Sequence, residues 1–503
     1  MTPLQHALTT TRAVILFVGT LAAACVPAVT WAAPRPPNIV LFFIDDLGWR
    51  DVGFMGNQFI ETPNLDRLAL NGLVFDQAYA SAPNCAPTRA CLMSGQYPPR
   101  HGIYTVVDPR QPPGSPWHKL LAAESRAELA PDTLTLAEAL RAGGYTTGFF
   151  GMWNLGRGRT GPVTPGGQGF DTVVFPETLG FAKDAYFAAD GSYLSDRLTT
   201  AALEFITDNK NRPFFVYLPD HAVHAPFEPK GDLLKKYIQK QAASDDDRND
   251  PAYAATVEAV DQNVGRLLDT LQRLGLSDDT LVLFTSDNGG TRQYTPPLRG
   301  GKGELYEGGL RVPLVMAGAG IVQPGRRSLM PTASIDLYPT LLDLANLPPP
   351  AGHRLDGVSL MPVMQAAKKL PTRQLFWHFP CYVGRSPPAS MVREGGLKLL
   401  QFFEDGGHVE LYDLANDPSE SRNLAQQFPE MAAGLFRTLT SWQEKTQAAL
   451  PRGDNPDFNP TAERPRGRGD DTNRQPKGGG GKGSAEKKRG QKKKQRMTEP
   501  KEK

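Results

Sequence analysis

At 503 residues, with 40% hydrophobic and 21% charged residues and four cysteines, the chain is too long for one ordinary core. Its composition excludes a disulfide-stapled miniprotein, a collagen-like chain and a wholly disordered one. The formal net charge of +2 conceals opposed parts: residues 461–503 hold 15 Lys+Arg against 6 Asp+Glu, residues 1–33 add only Arg12, and residues 34–460 carry 39 basic against 47 acidic residues. Partners must therefore be argued part by part.

In chain order, residues 1–33 read as an export signal, with Arg12, an apolar run from Ala13 to Ala28 and small residues at Ala32 and Ala33. A membrane anchor is the alternative, but Gly19, Thr20 and Pro27 interrupt a run that is short for a bilayer. A lipid on Cys25 is a third reading. The expectation is an exported protein, periplasmic or secreted, with no integral span in its mature form. Cleavage would leave Cys85, Cys91 and Cys381, an odd number that cannot complete a disulfide framework.

From 34 to about 370, apolar β-branched runs alternate with helical patterns, the mark of an α/β fold. Asn38–Ile44, Pro213–Leu218 and Thr280–Thr285 read as buried strands. Thr135–Ala142 reads as a helix stopped by Gly143-Gly144, and Ser195 as the N-cap of another, with Leu198, Leu203, Phe205 and Ile206 inward. A longer helix is expected over 253–274, with Val257, Val260, Val264, Leu267, Leu268 and Leu271 on one face and Gly275 as its stop. Residues 371–450 change to shorter strand-like pieces, Gly396–Phe403 and Val409–Leu414 among them, and predict a second, smaller unit. Residues 451–503 read as a basic Gly/Lys-rich tail that cannot bury enough apolar surface to fold. Within it, 461–503 is either a solvated end or a tether for polyanions, anionic polysaccharide and not nucleic acid.

Two strands end in oxygen-rich pairs, Asp45-Asp46 and Asp287-Asn288. Ligands collect beyond the carboxyl ends of strands in α/β sheets, and two such pairs can meet around one hard cation. An anionic substrate completing that shell suits Lewis-acid work on an ester oxygen. Cys85-Ala86-Pro87-Thr88-Arg89 then reads as a helix start, with Pro87 in its first turn and Cys85 at its N-terminus. There the dipole favours a reactive sulfur or an anion, and Arg89, one turn on, can clamp a tetrahedral oxyanion. A buried thiol or a Cys85–Cys91 disulfide is the plainer alternative.

The run Cys85–Arg89, followed by Gly95-Gln96-Tyr97-Pro98 and Arg100-His101-Gly102, resembles the sulfatase signature, in which the cysteine is oxidised to formylglycine. Asn38–Gly48, Phe284–Gly290 and Arg299-Gly300-Gly301-Lys302-Gly303 through Arg311-Val312-Pro313 resemble further blocks of that family, in its order. The resemblance implies an alkaline-phosphatase-like fold: a large mixed sheet flanked by helices, with a smaller C-terminal subdomain containing an antiparallel sheet. It implies calcium held by Asp45, Asp46, Asp287 and Asn288, with the modified Cys85 completing the metal site. It also implies a formylglycine-generating enzyme as maturation partner. One hydroxyl of the formylglycine hydrate would attack sulfur and expel the alcohol, and the other would collapse to the aldehyde and release sulfate. Arg89 would stabilise the hydrate, while Lys302 and His224 would bind sulfate and assist the leaving oxygen.

One block departs from the family. Where Gly-Lys-Trp-His-Leu-Gly is usual, this chain has Gly151-Met152-Trp153-Asn154-Leu155-Gly156, so Met152 and Asn154 replace the sulfate-binding lysine and the histidine beside formylglycine. Methionine cannot neutralise an oxyanion, and asparagine can donate a hydrogen bond but cannot take up a proton near neutral pH. Three readings follow: a working sulfatase retuned for an unusual substrate, with His221 or Arg157 supplying the missing donor; an impaired binder of sulfated glycans; or a phosphate or phosphonate ester hydrolase. The stretch Leu375–Pro380, with Met391-Val392-Arg393 and Val409–Leu414, is similar to bacterial carbohydrate sulfatases and implies a sulfated sugar as substrate. Trp377 and His378 either line its pocket or pack beneath the small sheet.

Overall fold

Alternation along one strand organises the molecule. Strand β1 (Asn38–Ile44) is buried from end to end. Ile39, Leu41 and Phe43 point into one apolar layer, whereas Val40, Phe42 and Ile44 point into another. The first layer is closed by helices Cys85–Ser94, Leu136–Ala142 and Leu337–Leu344. The second is closed by Pro63–Leu70, Leu194–Asn209 and Pro251–Arg273. The computed structural model describes residues 35–107, 114–244, 246, 249–366, 370–383 and 386–462. Residues 1–33, read from sequence as an export signal, and most of the basic tail lie outside them.

The other strands are β2 (Gly72–Phe75), β3 (Ala78–Tyr79), β4 (Thr146–Phe150), β5 (Thr172–Val174), β6 (Phe214–Asp220), β7 (Thr280–Ser286), β8 (Leu314–Gly318), β9 (Arg326–Ser328) and β10 (Thr332–Ala333). Eight of them, with β1 included, form one mixed sheet in the order β5-β4-β6-β1-β7-β8-β2-β9, and β3 pairs with β10. β1 lies between β6 and β7, parallel to both, with Ile44 level with Asp220 and Ser286. Three carboxyl ends therefore open at one point of the sheet.

Beyond it, β11 (Gln374–Phe379), β12 (Ala389–Glu394), β13 (Leu397–Phe402) and β14 (His408–Asp413) form an antiparallel sheet. Helix Pro429–Thr446 covers that sheet, whose apolar face shares a core with Tyr79, Tyr97, Leu305 and Leu310. The mixed sheet and this second sheet match the expected class. Among the described residues no helix is long and apolar enough to cross a membrane.

Local signals resolve well where they are physical. Thr135 caps its helix reciprocally with Glu138, and Asp250 accepts from Ala252 N and Tyr253 N at the start of the long helix. Ser195 is a correction: Tyr193 is the N-cap, and the Ser195 hydroxyl lies inside the helix, donating to Asp220. Residues 451–462, read from sequence as the start of the tail, run beside 115–122, where Asn455 donates to the Ser115 and His118 carbonyls.

Candidate active site

Parallel pairing of β1 with β7 sets Asp45-Asp46 against Asp287-Asn288. The loop after β6 fixes the same point from the other side. Asp45 N donates to the Asp220 and Ala222 carbonyls at 3.2 and 3.1 Å, and Val223 N returns a bond to Asp45 O at 2.8 Å. Asp46 carries a left-handed φ of +64°, which turns its side chain back toward its neighbours. Space behind the turn is scarce: a Cβ on Gly289 would lie 2.1 Å from Gly308 O, which requires glycine there.

Cys85 is the first residue of its helix and is buried, with Sγ 3.1 Å from Asp45 Oδ1 and 4.0 Å from Asp46 Oδ1. One ligand atom from each of Asp45, Asp46, Cys85 and Asp287 falls within 4.8 Å of every other. Lys302 Nζ reaches Asp46 at 2.7 Å, and His224 Nε2 stands 3.6 Å from Asp46 Oδ2. Asn288 Nδ2 donates to Asp46 and Asp287 at 2.7 Å each, and its Oδ1 accepts from Gly290 N. Lys302 and His224 side chains are 21% and 36% exposed, whereas the acids and Arg89 are buried, so these two form the mouth.

Arg89 lies beneath the acids and does not face solvent. Its Nη2 is 3.0 Å from Asp287 and 3.4 Å from Asp45, and its Nη1 donates to the Met152 carbonyl at 2.6 Å. Burial opposes ionisation of Asp45, but Arg89, with His224 and Lys302, holds that carboxyl well below the usual range. Burial and the charge of Asp45 push Asp287 up, against the pull of Arg89, so the two acids titrate as a pair. Burial, together with Asp287 and Asp45, pushes the Cys85 thiol well up. Burial and these carboxylates oppose the helix dipole at the unmodified sulfur and favour its thiol form. The disulfide alternative fails: Cys85, Cys91 and Cys381 are free, and Cys91 faces His101 Nε2 at 3.4 Å.

Three carboxylates with an amide beside them are a hard-oxygen donor set, and two cationic side chains leave it short of full neutralisation. The residues fit calcium. Of the departing pair, Met152 is half-buried and meets Arg89 through its carbonyl, while Asn154 is exposed at φ +59°. Arg157 is exposed as well. His221 is buried, stacked on His224 at 5.2 Å, and among the described residues neither of its ring nitrogens has a hydrogen-bond partner. Asp220 went unnoticed in the sequence, although it closes strand β6 beside the end of β1; its carboxylate accepts from Ser195 and from Ala222 N and shapes the turn leading to His224. Trp377 and His378 are packing residues: Trp377 Nε1 donates to the Ala80 carbonyl, and His378 is held between Ser390 and the Ala449 carbonyl.

A family model described as Sulfatase matches residues 37–347, and one described as N-sulphoglucosamine sulphohydrolase, C-terminal, matches residues 301–445. The chain belongs to the sulfatase family. This sulfatase is 32% identical over 502 residues to a sulfatase of Formosa agariphila, covering 83% of this chain and 90% of that one. It is 32% identical over 453 residues to human arylsulfatase A, covering 78% and 84%. Among solved structures, Ps i-CgsB in complex with k-i-k-neocarrahexaose superposes with a TM-score of 0.69 at 27% identity, over 83% of this chain and 95% of that one. As a sulfatase the protein is a sulfuric ester hydrolase.

Proposed function

We propose that the protein removes sulfate from a sulfated carbohydrate, with formylglycine made from Cys85 as nucleophile and calcium held by Asp45, Asp46, Asp287 and Asn288. The observation that carries this reading is the placement of Cys85 Sγ, 3.1 Å from Asp45 Oδ1 in a buried acid cluster with Lys302 and His224 at its mouth. A cysteine thiol held protonated there is a poor nucleophile, whereas an aldehyde hydrate needs no thiolate. Bound calcium would supply Lewis-acid polarisation of a sulfate oxygen. Lys302 would hold a second sulfate oxygen by its charge, which Asp46 maintains against burial. His224, anchored through Nδ1 to the Ala225 carbonyl at 2.7 Å, presents Nε2 toward the acids and would serve the leaving oxygen. Arg89 would act from below, fixing Asp45 and Asp287 and, through them, the modified residue 85.

The sugar assignment is supported by the resemblance of residues 375–414 to carbohydrate sulfatases and by the hexasaccharide carried by Ps i-CgsB. The division into a catalytic part, 34–370, and a smaller part, 371–450, belongs to the same proposal. So do maturation by a formylglycine-generating enzyme, export by residues 1–33 and capture of polyanions by 461–503. Sulfate release measured across sulfated mono- and oligosaccharides tests the substrate class. Turnover on at least one sugar sulfate above that on aryl sulfates is expected; release from aryl sulfates alone would overturn the sugar assignment.

A second reading, binding of sulfated glycan with slow turnover, is favoured by Met152. Arg89 keeps its contact with the carbonyl of residue 152, so the backbone of the block is in place while its charge is missing.

A further inference from the structure

A cleft of about 390 Å³ borders the loop that carries Lys302, and none of the candidate active-site residues lines it. Arg299, Glu304, Tyr306, Phe402, His408 and Glu410 line it. Gly300 and Glu304, two residues before and after Lys302, line it, so one loop contributes to both the cleft and the candidate active site.

Its chemistry is mixed in a particular way. Phe402 and His408 are cross-strand partners whose rings stack at 4.6 Å and 11°, presenting a flat apolar wall with a polar edge. Glu410 Oε2 accepts from the Tyr306 and Tyr412 hydroxyls at 2.7 and 2.8 Å, and its Oε1 lies 4.0 Å from His408 Nε2. Arg299 spreads over the Tyr306 ring at 3.9 Å, donates through Nη1 to Tyr412 and the Glu420 carbonyl and lies 3.7 Å from Glu410, and among the described residues Nε and Nη2 make no further hydrogen bond. Flat apolar walls interleaved with carboxylate acceptors and guanidinium donors suit a sugar ring, whose faces are C–H and whose rim is hydroxyl. Two carboxylates against one guanidinium disfavour a sulfate group there.

We propose that this cleft is a subsite for an unsulfated sugar ring of the chain whose sulfated residue occupies the active site. The proposal rests on the carbohydrate sulfatase reading, and it makes the enzyme a reader of oligosaccharides in which a sulfated residue is followed by a neutral one.

The test uses the full chain, its His408→Ala variant and its Glu410→Gln variant. The His408 side chain is 56% exposed, so its removal leaves the core intact. Calorimetric titration with two chemically desulfated hexasaccharides, one galactan and one glycosaminoglycan, is expected to show binding of at least one, weakened about tenfold in each variant. On sulfated substrates, the rise in KM caused by either variant should be about tenfold greater for a hexasaccharide than for a monosaccharide. Equal effects at both lengths, or no binding of either desulfated hexasaccharide by the wild type, would overturn the subsite. If the wild type releases no sulfate from any sugar, the function proposed above fails, and the desulfated titration still decides the cleft.

Discussion

Arg89 Nη2 lies 3.0 Å from Asp287 Oδ2 with both side chains wholly buried, and Asp45 shares the same guanidinium from 3.4 Å. This ties the helix that begins at Cys85 to the ends of β1 and β7. The cation that sequence reading offered as an oxyanion clamp is placed instead to hold the acids together.

Removing that charge leaves buried carboxylates without compensation. Arg89→Met should destabilise the fold by about 3–5 kcal/mol. Arg89→Lys should cost less, because it keeps the charge but cannot span two acids and the Met152 carbonyl together. Chemical unfolding of the two variants checks the order; equal stability of Arg89→Met and the wild type would contradict it.

Cation binding should be visible in stability without any turnover. Calcium added to chelated protein at 100 times its dissociation constant should stabilise the fold by about 2.7 kcal/mol. Asp287→Asn should diminish that gain by weakening the site. Thermal unfolding that is the same in chelator and in calcium would count against the site.

The charge missing at residue 152 can be restored. Met152→Lys should raise turnover of simple aryl sulfates by about tenfold or more, since one preorganised group commonly contributes 10²–10³ in rate. Asn154→His should contribute less, because residue 154 has φ +59° and is exposed. Initial rates for the single and double variants decide whether the native block limits the chemistry. A Met152→Lys variant with wild-type rates would show that another group already fills that role.

Acid sensitivity should trace in part to His378, whose burial lowers its pKa to about 4. The unfolded chain takes up a proton below about pH 6.5, while the folded chain resists until about pH 4, so acidification across that interval favours unfolding. The contribution reaches roughly 3 kcal/mol by pH 4. Unfolding free energies of His378→Gln and the wild type, compared between pH 7 and 4, should show a shallower loss in the variant. Identical slopes would contradict this assignment.

The sequence was most legible where one property decides position. Burial on both faces made Asn38–Ile44 readable to the residue, and parallel neighbours then forced Asp45-Asp46 toward Asp287-Asn288. Properties set by distant contacts were not legible. Ser195 has the chemistry of a cap, but Asp220, 25 residues on, draws its hydroxyl into the helix–strand interface. Cys85 has the local setting of a reactive sulfur, and only the fold supplies the burial and the carboxylates that push its thiol up. Trp377 and His378 look like binding residues until their partners at Ala80, Ser390 and Ala449 are seen.

The chemistry proposed for this site depends most on what residue 85 becomes. Mass spectrometry of the peptide spanning it, from protein made beside a competent formylglycine-generating enzyme, reads this directly. The expected result is the aldehyde at residue 85, trapped by a carbonyl reagent; an intact cysteine thiol in that protein would contradict the formylglycine mechanism.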